Sequence, residues 1–211
     1  MVSYWVKTPQ WLRKFFPKEM IWDMPVHEEP AVYITFDDGP HPVATPFALQ
    51  QLTKYNALAT FFCVGNNVAN HPVLYQQLLD GGHTTGNHTY DHLNGWKTGS
   101  SEYMNNINRA GGYINSKLFR PPYGRIKLSQ ARKLFRSRAG WRIYMWDVLS
   151  GDFDKTISPQ QCLDHVLTHI KPGSIVVFHD SEKAWDRMSY ALPQVLEYCR
   201  QQNWKVAALP K

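Results

Sequence analysis

Short apolar runs alternate with longer segments of helical periodicity along most of the chain. Strands are predicted at 31–36, 60–64, 83–87, 118–119, 141–146, 174–178 and 204–207, most of them marked by apolar residues. The helical segments lie at 43–55, 71–80, 101–116, 127–138, 158–170 and 190–202. About seven strand–helix units favour a parallel sheet, and at 211 residues we predict one small barrel rather than two domains.

Residues 1–30 fall outside this alternation. The segment 9–22 mixes aromatic side chains with four charges and two prolines, and Pro17 interrupts any continuous amphipathic helix. It is either an anchor that lies on a membrane surface or a segment that packs across the open bottom of the barrel. We favour the second, and divide the chain into an N-terminal segment, 1–30, and a main domain, 31–211.

Composition excludes several classes of protein. With 43% hydrophobic and 19% charged residues, the chain is expected to fold. Three cysteines are too few for a disulfide framework, and the apolar runs are too short for a transmembrane helix. The net charge of +6 permits an acidic partner, but we do not expect nucleic acid to be bound. The N-terminus lacks the features of a secretory signal, which as written indicates a cytoplasmic protein or one processed beforehand.

Polar clusters follow the ends of five predicted strands. They are TFDDGP at 35–40, HTYDH at 88–92, RPPYG at 120–124, WDVLSGDFD at 146–154 and VFHD at 177–180. In parallel α/β folds the carboxyl ends of the strands form the face on which active-site residues lie. The five clusters therefore predict one catalytic face.

Two of the clusters contain potential metal ligands. Asp37 and Asp38 are adjacent, and on extended backbone one can bind a cation while the other serves as a base. His88 and His92 are four residues apart, which on a helical turn directs both imidazoles to one metal ion. The same spacing recurs at 165–169 with no carboxylate nearby in the motif, and we interpret that pair as packing or surface histidines.

Together the five clusters resemble the motifs of the NodB-type polysaccharide deacetylases, carbohydrate esterase family 4, over about 31–207. The resemblance implies a distorted (β/α)7-type barrel in a single domain. It also implies a metal-dependent hydrolase that removes N-acetyl groups from a GlcNAc-containing polysaccharide of the peptidoglycan or chitin type. Members of this family commonly act on the cell envelope or outside the cell.

The same resemblance implies a role for each site residue. The metal ligands would be Asp38, His88 and His92, with Zn²⁺ as the first choice and Co²⁺, Ni²⁺ or Mn²⁺ as alternatives. The catalytic residues would be the base Asp37, its partner Arg120, the acid His179, and Asp152, which orients that acid. The substrate-binding residues would be Tyr123, Trp146, Phe153 and Val177.

Two of these positions depart from the family pattern. Phe153 replaces the usual Trp, and Val177 replaces the usual Leu, so the wall of the acetyl pocket differs while every reacting group is present. Two alternatives stay open: an O-acetyl esterase acting on xylan through the same site, and a non-catalytic carbohydrate-binding protein. The sequence does not predict the oligomeric state.

Overall fold

The computed structural model describes residues 4–26 and 28–211. At the centre of the fold is a curled sheet of parallel strands. The strands are β1 (Ala31–Asp37), β2 (Thr60–Cys63), β3 (Thr84–Asn87), β4 (Leu118–Phe119), β5 (Arg142–Ile143), β6 (Val148–Leu149), β7 (Ile175–His179) and β8 (Lys205–Val206). Their order is β5-β4-β3-β2-β1-β7-β6, and β8 pairs with the first residues of β1. Each of these strand pairs is parallel. The predicted (β/α)7-type barrel in a single domain is confirmed.

Helices that follow β1 connect the strands and cover the outer face of the sheet, and one short helix, α1, precedes β1. They are α1 (Gln10–Arg13), α2 (Ala44–Lys54), α3 (Gly65–Asn70), α4 (Pro72–Asp80), α5 (Ser100–Gly111), α6 (Leu128–Arg136), α7 (Pro159–His169) and α8 (Trp185–Gln201). The largest apolar core lies where α2, α7 and α8 pack on alternate residues of β1, among them Val32, Ile34 and Phe36. Among the described residues, no helix is long and apolar enough to span a bilayer.

The inner face of β1 changes from apolar to polar along its length. Tyr33 belongs to a small apolar cluster with Phe62 and Ile175 inside the barrel. Thr35 and Asp37 follow on the same face, because alternate residues of a strand point the same way. The carboxyl end of β1 therefore presents polar groups to the inside of the barrel, where the clusters of the other strands also arrive.

The apolar pattern overestimates one strand and misses two short elements. The run at 141–146 forms only the two-residue β5, after which the chain turns and forms β6. Two residues carry no periodicity, so the pattern does not predict β6. The six residues of α3 (Gly65–Asn70) escape prediction as well, since three of them are asparagines, which disfavour helix interiors.

The N-terminal segment lies against both edge strands of the sheet. Lys7 pairs in antiparallel fashion with Val148 of β6, and Ile21 pairs with Tyr144, the residue that follows β5. The main-chain hydrogen bonds at these two places join the segment to β5 on one side and to β6 on the other. The segment therefore bridges the opening between the two ends of the curled sheet.

Asp147 anchors the N-terminal segment from inside the barrel. Its carboxylate is buried and accepts hydrogen bonds from the ammonium of Lys7, from Arg13 Nη2 at 2.8 Å and from Ser174 Oγ at 2.8 Å. Two cations compensate the buried charge, which would otherwise be costly to remove from water. The segment thus contributes charged partners as well as main-chain hydrogen bonds.

Candidate active site

The acidic pair lies where β1 ends. Asp37 is the last residue of β1, and its Oδ1 accepts a hydrogen bond of 2.7 Å from Arg120 Nη1. Asp38 has a φ of 83°, in the left-handed region, so the prediction of extended backbone is wrong for this residue. The two carboxylates nevertheless face different partners, because the turn at Asp38 directs its side chain toward histidines instead of Arg120.

Asp38, His88 and His92 form a group of potential metal ligands, whose ligand atoms all lie within 4.8 Å of one another. Asp38 Oδ1 is 3.1 Å from His92 Nε2 and 3.8 Å from His88 Nε2. Within the described chain, this buried oxygen has no well-aligned hydrogen-bond donor. A buried carboxylate oxygen that faces two imidazole nitrogens fits a divalent cation, and three protein ligands are the set found in catalytic zinc sites.

His88 is held in the form that a metal ligand requires. Its Nδ1 lies 2.8 Å from the carbonyl oxygen of Arg120, so Nδ1 donates and Nε2 is left for a metal. Burial lowers the pKa of His88 to about 4, so the imidazole is neutral at pH 7. For Asp38, burial alone would raise the pKa, but contact with His92 and the positive charge of His179 hold it below its ordinary range.

His88 and His92 lie on a loop, and the predicted helical turn is wrong. Thr89 and His92 have φ values of 63° and 54°. The side-chain carbonyl of Asn87 accepts from the Thr89 N–H at 2.9 Å, and Thr89 Oγ1 accepts from the Leu93 N–H at 3.1 Å. These local bonds fix an irregular turn, and the imidazoles converge because of that turn rather than because of helical spacing.

Arg120 is completely buried and uses its whole guanidinium. Besides Asp37, Nη1 donates to Thr35 Oγ1 at 2.7 Å, Nη2 donates to Met145 O at 2.9 Å, and Nε donates to Tyr144 O at 3.3 Å. Burial lowers the pKa of Arg120, and the neighbouring carboxylate of Asp37 opposes this effect. The fork geometry of the guanidinium fixes Asp37 in position and places a positive charge beside it.

Asp152 and His179 form a second pair of ionisable groups. His179 Nδ1 lies 2.7 Å from Asp152 Oδ1, and the His179 N–H donates to Asp152 Oδ2 at 2.7 Å. Burial alone would lower the pKa of His179. The negative charge and hydrogen bond of Asp152, with smaller contributions from the charges of Asp38 and Asp37, instead raise this pKa to about 10. His179 is therefore protonated at neutral pH, with Nδ1 engaged and Nε2 available to a substrate.

Asp180 is a buried carboxylate to which the sequence analysis assigns no role. Its Oδ1 accepts from the Gly39 N–H at 3.0 Å, its Oδ2 accepts from the Thr45 hydroxyl, and its own N–H donates to Asp37 O at 3.1 Å. Burial raises the pKa of Asp180 to about 8. The sequence signal that points to this residue is its position in the VFHD cluster, directly after the predicted acid His179. Asp180 holds the turn that follows Asp38.

Arg187 on α8 supports the other pair. This buried side chain donates from Nε to the carbonyl oxygen of Asp152 at 2.7 Å and from Nη2 to Lys183 O at 2.6 Å. It lies within a helix, outside the strand-end clusters, so the sequence carries no signal for it. Arg187 fixes the main chain of Asp152 and thereby the carboxylate that contacts His179.

Tyr123 and Trp146 both lie at the turn of the third cluster. Tyr123 has a φ of 60°, is 60% exposed, and its ring lies 4.6 Å from that of His92. Gly124 follows with a φ of 66°, and a Cβ there would come within 2.5 Å of the Trp146 ring. Trp146 therefore supports this turn from below, and Tyr123 reaches the histidine end of the site.

Phe153 lies beside the predicted acid, whereas Val177 lies within the sheet. The ring of Phe153 lies 5.2 Å from that of His179 in an edge-to-face arrangement. Val177 is 1% exposed and lies in β7 opposite Thr35 of β1. Phe153 thus adjoins the predicted acid, whereas Val177 packs inside the sheet below it.

Comparison with known proteins places this arrangement in a class of carbohydrate-modifying hydrolases. The model of the polysaccharide deacetylase family matches residues 25–138, which is more than half of the chain. The chain belongs to this family, and the resemblance and the enzyme class stated from the sequence are confirmed.

Curated relatives carry names from the same family. Two proteins of Bacillus cereus named peptidoglycan-N-acetylglucosamine deacetylase are 34% and 32% identical, over 78% and 87% of this chain. The matched regions span 62% of the first relative and 88% of the second. A chitooligosaccharide deacetylase of Azorhizobium caulinodans is 33% identical over 71% of this chain and 73% of its own length.

A solved structure agrees with the fold over nearly the whole chain. The Bc1960 peptidoglycan N-acetylglucosamine deacetylase superposes with a TM-score of 0.86 at 28% identity, over 96% of this chain and 95% of that one. That coverage reaches beyond the matched family region and takes in the last strands of the sheet.

Proposed function

We propose that the protein is a metal-dependent deacetylase that hydrolyses the N-acetyl groups of a GlcNAc-containing polysaccharide, giving acetate and a free amine. The observation that carries the proposal is that three units meet at one end of the sheet: the Asp-His-His group, the Asp37–Arg120 pair and the Asp152–His179 pair. Peptidoglycan is the first candidate substrate, because several relatives are named for it, and a chitin-type oligosaccharide is the second.

In this proposal Asp37 acts as the base. Arg120 engages Oδ1, which leaves Oδ2 to accept a proton from the attacking water. Asp38, His88 and His92 would hold a divalent ion such as Zn²⁺, which would lower the pKa of a bound water toward neutral and would polarise the acetyl carbonyl. The buried guanidinium of Arg120 holds the base in a fixed orientation and places a positive charge beside it.

In this proposal His179 acts as the acid. Asp152 occupies its Nδ1, so Nε2 gives a proton to the departing nitrogen. An amine leaves poorly unless it is protonated, and a histidine whose pKa is raised to about 10 carries that proton at neutral pH. The backbone N–H of Tyr123, on the turn beside His92, is the group we assign to the oxygen on which negative charge develops.

The complete set of charged pairs argues against a non-catalytic sugar-binding protein. Arg120 and Asp152 each hold a titratable partner in a fixed position, an arrangement that ligand binding alone does not require. An O-acetyl esterase would use the same groups and differs only in its leaving group, so substrate assays distinguish it.

The test is release of acetate in the presence of Zn²⁺ or Co²⁺ from peptidoglycan, N-acetylchitooligosaccharides and acetylated xylan. We expect acetate and new free amine from at least one of the first two substrates. Asp37→Asn and His88→Ala should each abolish it, whereas His169→Ala, from the second histidine pair, should match wild type. Release from xylan alone would favour the esterase, and glycan binding without release from any substrate would favour the binding protein.

A further inference from the structure

Trp96 is an exposed tryptophan on the loop that follows His92. Its side chain is 54% exposed. Exposure of so large an apolar surface to water is unfavourable, so its position and its support call for an explanation. Neither the catalytic groups nor the apolar core uses this residue.

The loop that carries Trp96 is held rigidly. Trp96 Nε1 donates to Ile126 O at 3.1 Å, and the Gly95 N–H donates to Arg125 O at 3.1 Å. Gln130, which is completely buried, donates from Nε2 to Gly95 O at 3.0 Å. A buried amide side chain thus fixes the loop, and the indole is held by its N–H edge while 54% of the side chain stays exposed.

Trp96 is connected to the predicted catalytic residues through the loop that carries Tyr123. Its loop follows β3, and the loop that it contacts, 120–126, follows β4, the neighbouring strand. The second loop carries Tyr123, whose ring packs on His92, and two residues later Arg125, whose Cζ lies 5.3 Å from the centre of the Trp96 ring. The exposed indole and the exposed guanidinium therefore contact each other, and the loop that carries the guanidinium also carries the exposed ring of Tyr123.

This combination suits a pyranose ring. The flat face of an indole packs against the apolar C–H face of a sugar, and a guanidinium donates hydrogen bonds to hydroxyl and acetyl oxygens. Tyr123 contacts the metal ligand His92, and Arg125, two residues later, contacts Trp96, so this loop leads from the site to the indole.

We propose that Trp96 and Arg125 form a subsite for the sugar unit that neighbours the deacetylated one, so that the protein prefers chains to single sugars. The inference rests on the proposed function. It extends that function by assigning substrate-length preference to two residues outside the catalytic groups.

The test compares wild type, Trp96→Ala and Trp96→Phe on N-acetylglucosamine oligomers of one to six units. Trp11→Ala is the matched control, because Trp11 is 55% exposed but lies on the N-terminal segment. We expect Trp96→Ala to lower kcat/KM on the longer oligomers by roughly tenfold, the scale of an aromatic stacking contact, and by less than about twofold on the monomer. Trp96→Phe should restore most of the loss, and Trp11→Ala should show none.

Binding measurements separate this inference from the proposed function. Calorimetric titration of the Zn²⁺-loaded protein with the pentamer should show weaker affinity for Trp96→Ala than for wild type, whether or not acetate is released. An equal fall on all oligomer lengths, or unchanged kcat/KM and unchanged affinity for Trp96→Ala, overturns the subsite even if deacetylation is real. Thermal melting of each variant tests that an altered fold is not the cause.

Discussion

Arg120 Nη1 lies 2.7 Å from Asp37 Oδ1, and both side chains are buried. The same nitrogen also donates to Thr35 Oγ1, while the remaining nitrogens reach main-chain carbonyls. The guanidinium thus joins the end of β1 to the chain between β5 and β6. It serves as partner of the proposed base and as a structural link across the barrel.

Arg120→Lys should keep the positive charge and lose the fork of donors. A lysine cannot reach Asp37, Thr35 and the two carbonyls together, so the base loses its fixed orientation. We expect kcat to fall by about 100-fold or more, the range of a misplaced general base. Acetate release measures the effect, and the conservative change Arg138→Lys at an exposed position is the control. Activity near that of wild type would contradict the assigned role.

Arg120→Met should instead affect stability. It leaves the carboxylate of Asp37 buried without its cation, which costs about 3–5 kcal/mol of unfolding free energy in comparable buried pairs. Urea unfolding of the metal-free protein measures this loss. If Arg120→Met were as stable as wild type, the ion pair would not contribute to holding β1 in place.

Asp152→Asn should shift the pH dependence of activity. In wild type, Asp152 helps raise the pKa of His179 to about 10, so the acid stays protonated well above neutral pH. Without the carboxylate charge, His179 loses its proton at lower pH, and the alkaline limb of kcat/KM should move down by at least about one pH unit. A pH profile of both proteins from pH 6 to 11 measures the shift. An unmoved alkaline limb would show that another group acts as the acid.

The same pair should make stability depend on pH. The folded pKa of His179 lies above its ordinary value of 6.5, so the stabilisation is complete below about pH 6.5 and is lost as pH rises through about 10. Asp152→Asn should therefore lose more stability at pH 6 than at pH 10.5. Urea unfolding at the two pH values checks the sign.

Gly39→Ala should disturb the turn next to Asp38. A Cβ at Gly39 would lie 2.0 Å from Asp180 Oδ2, a contact that the buried carboxylate cannot avoid without moving. We expect a loss of about 1–3 kcal/mol in unfolding free energy, together with weaker metal binding. Gly111→Ala is the matched control, since a Cβ there meets nothing within 4 Å. Equal behaviour of the two variants would show that Asp180 does not constrain the turn.

Divalent metal should stabilise the wild-type protein through Asp38, His88 and His92. Ligand present at about 100 times its Kd adds about 2.7 kcal/mol to the unfolding free energy, which thermal melting detects as a raised Tm. We expect Zn²⁺ to raise Tm for wild type and for His169→Ala, and a chelator to reverse the rise. In the His88→Ala variant, most of this Zn²⁺-dependent rise in Tm should be lost. A full rise in His88→Ala would place the bound metal elsewhere.

The sequence predicts most strands of the sheet and most of the residues that form the site. The apolar runs locate β1, β2 and β7, because buried parallel strands are continuously apolar. The strand-end clusters contain the side chains that the structure brings together. These are local properties of the chain, so they can be read from short segments.

The geometry behind the site is not local. Arg120 lies 83 residues from Asp37, and Arg187 lies 35 residues from Asp152, so no spacing rule relates them. The turn at His88 and His92 depends on hydrogen bonds of Asn87 and Thr89 that helical spacing does not describe. Residues that support others through long-range contacts therefore appear only in the structure.

The bridging N-terminal segment has a consequence for the order of folding. Lys7 pairs with Val148 and donates to Asp147, partners about 140 residues further along the chain. During synthesis the segment leaves the ribosome long before those partners exist, and contacts between such distant residues form slowly. Until it docks, both ends of the sheet carry exposed edges that can pair with another chain. Closure by this segment is therefore a late step of folding, and it removes the surface through which nascent molecules would aggregate.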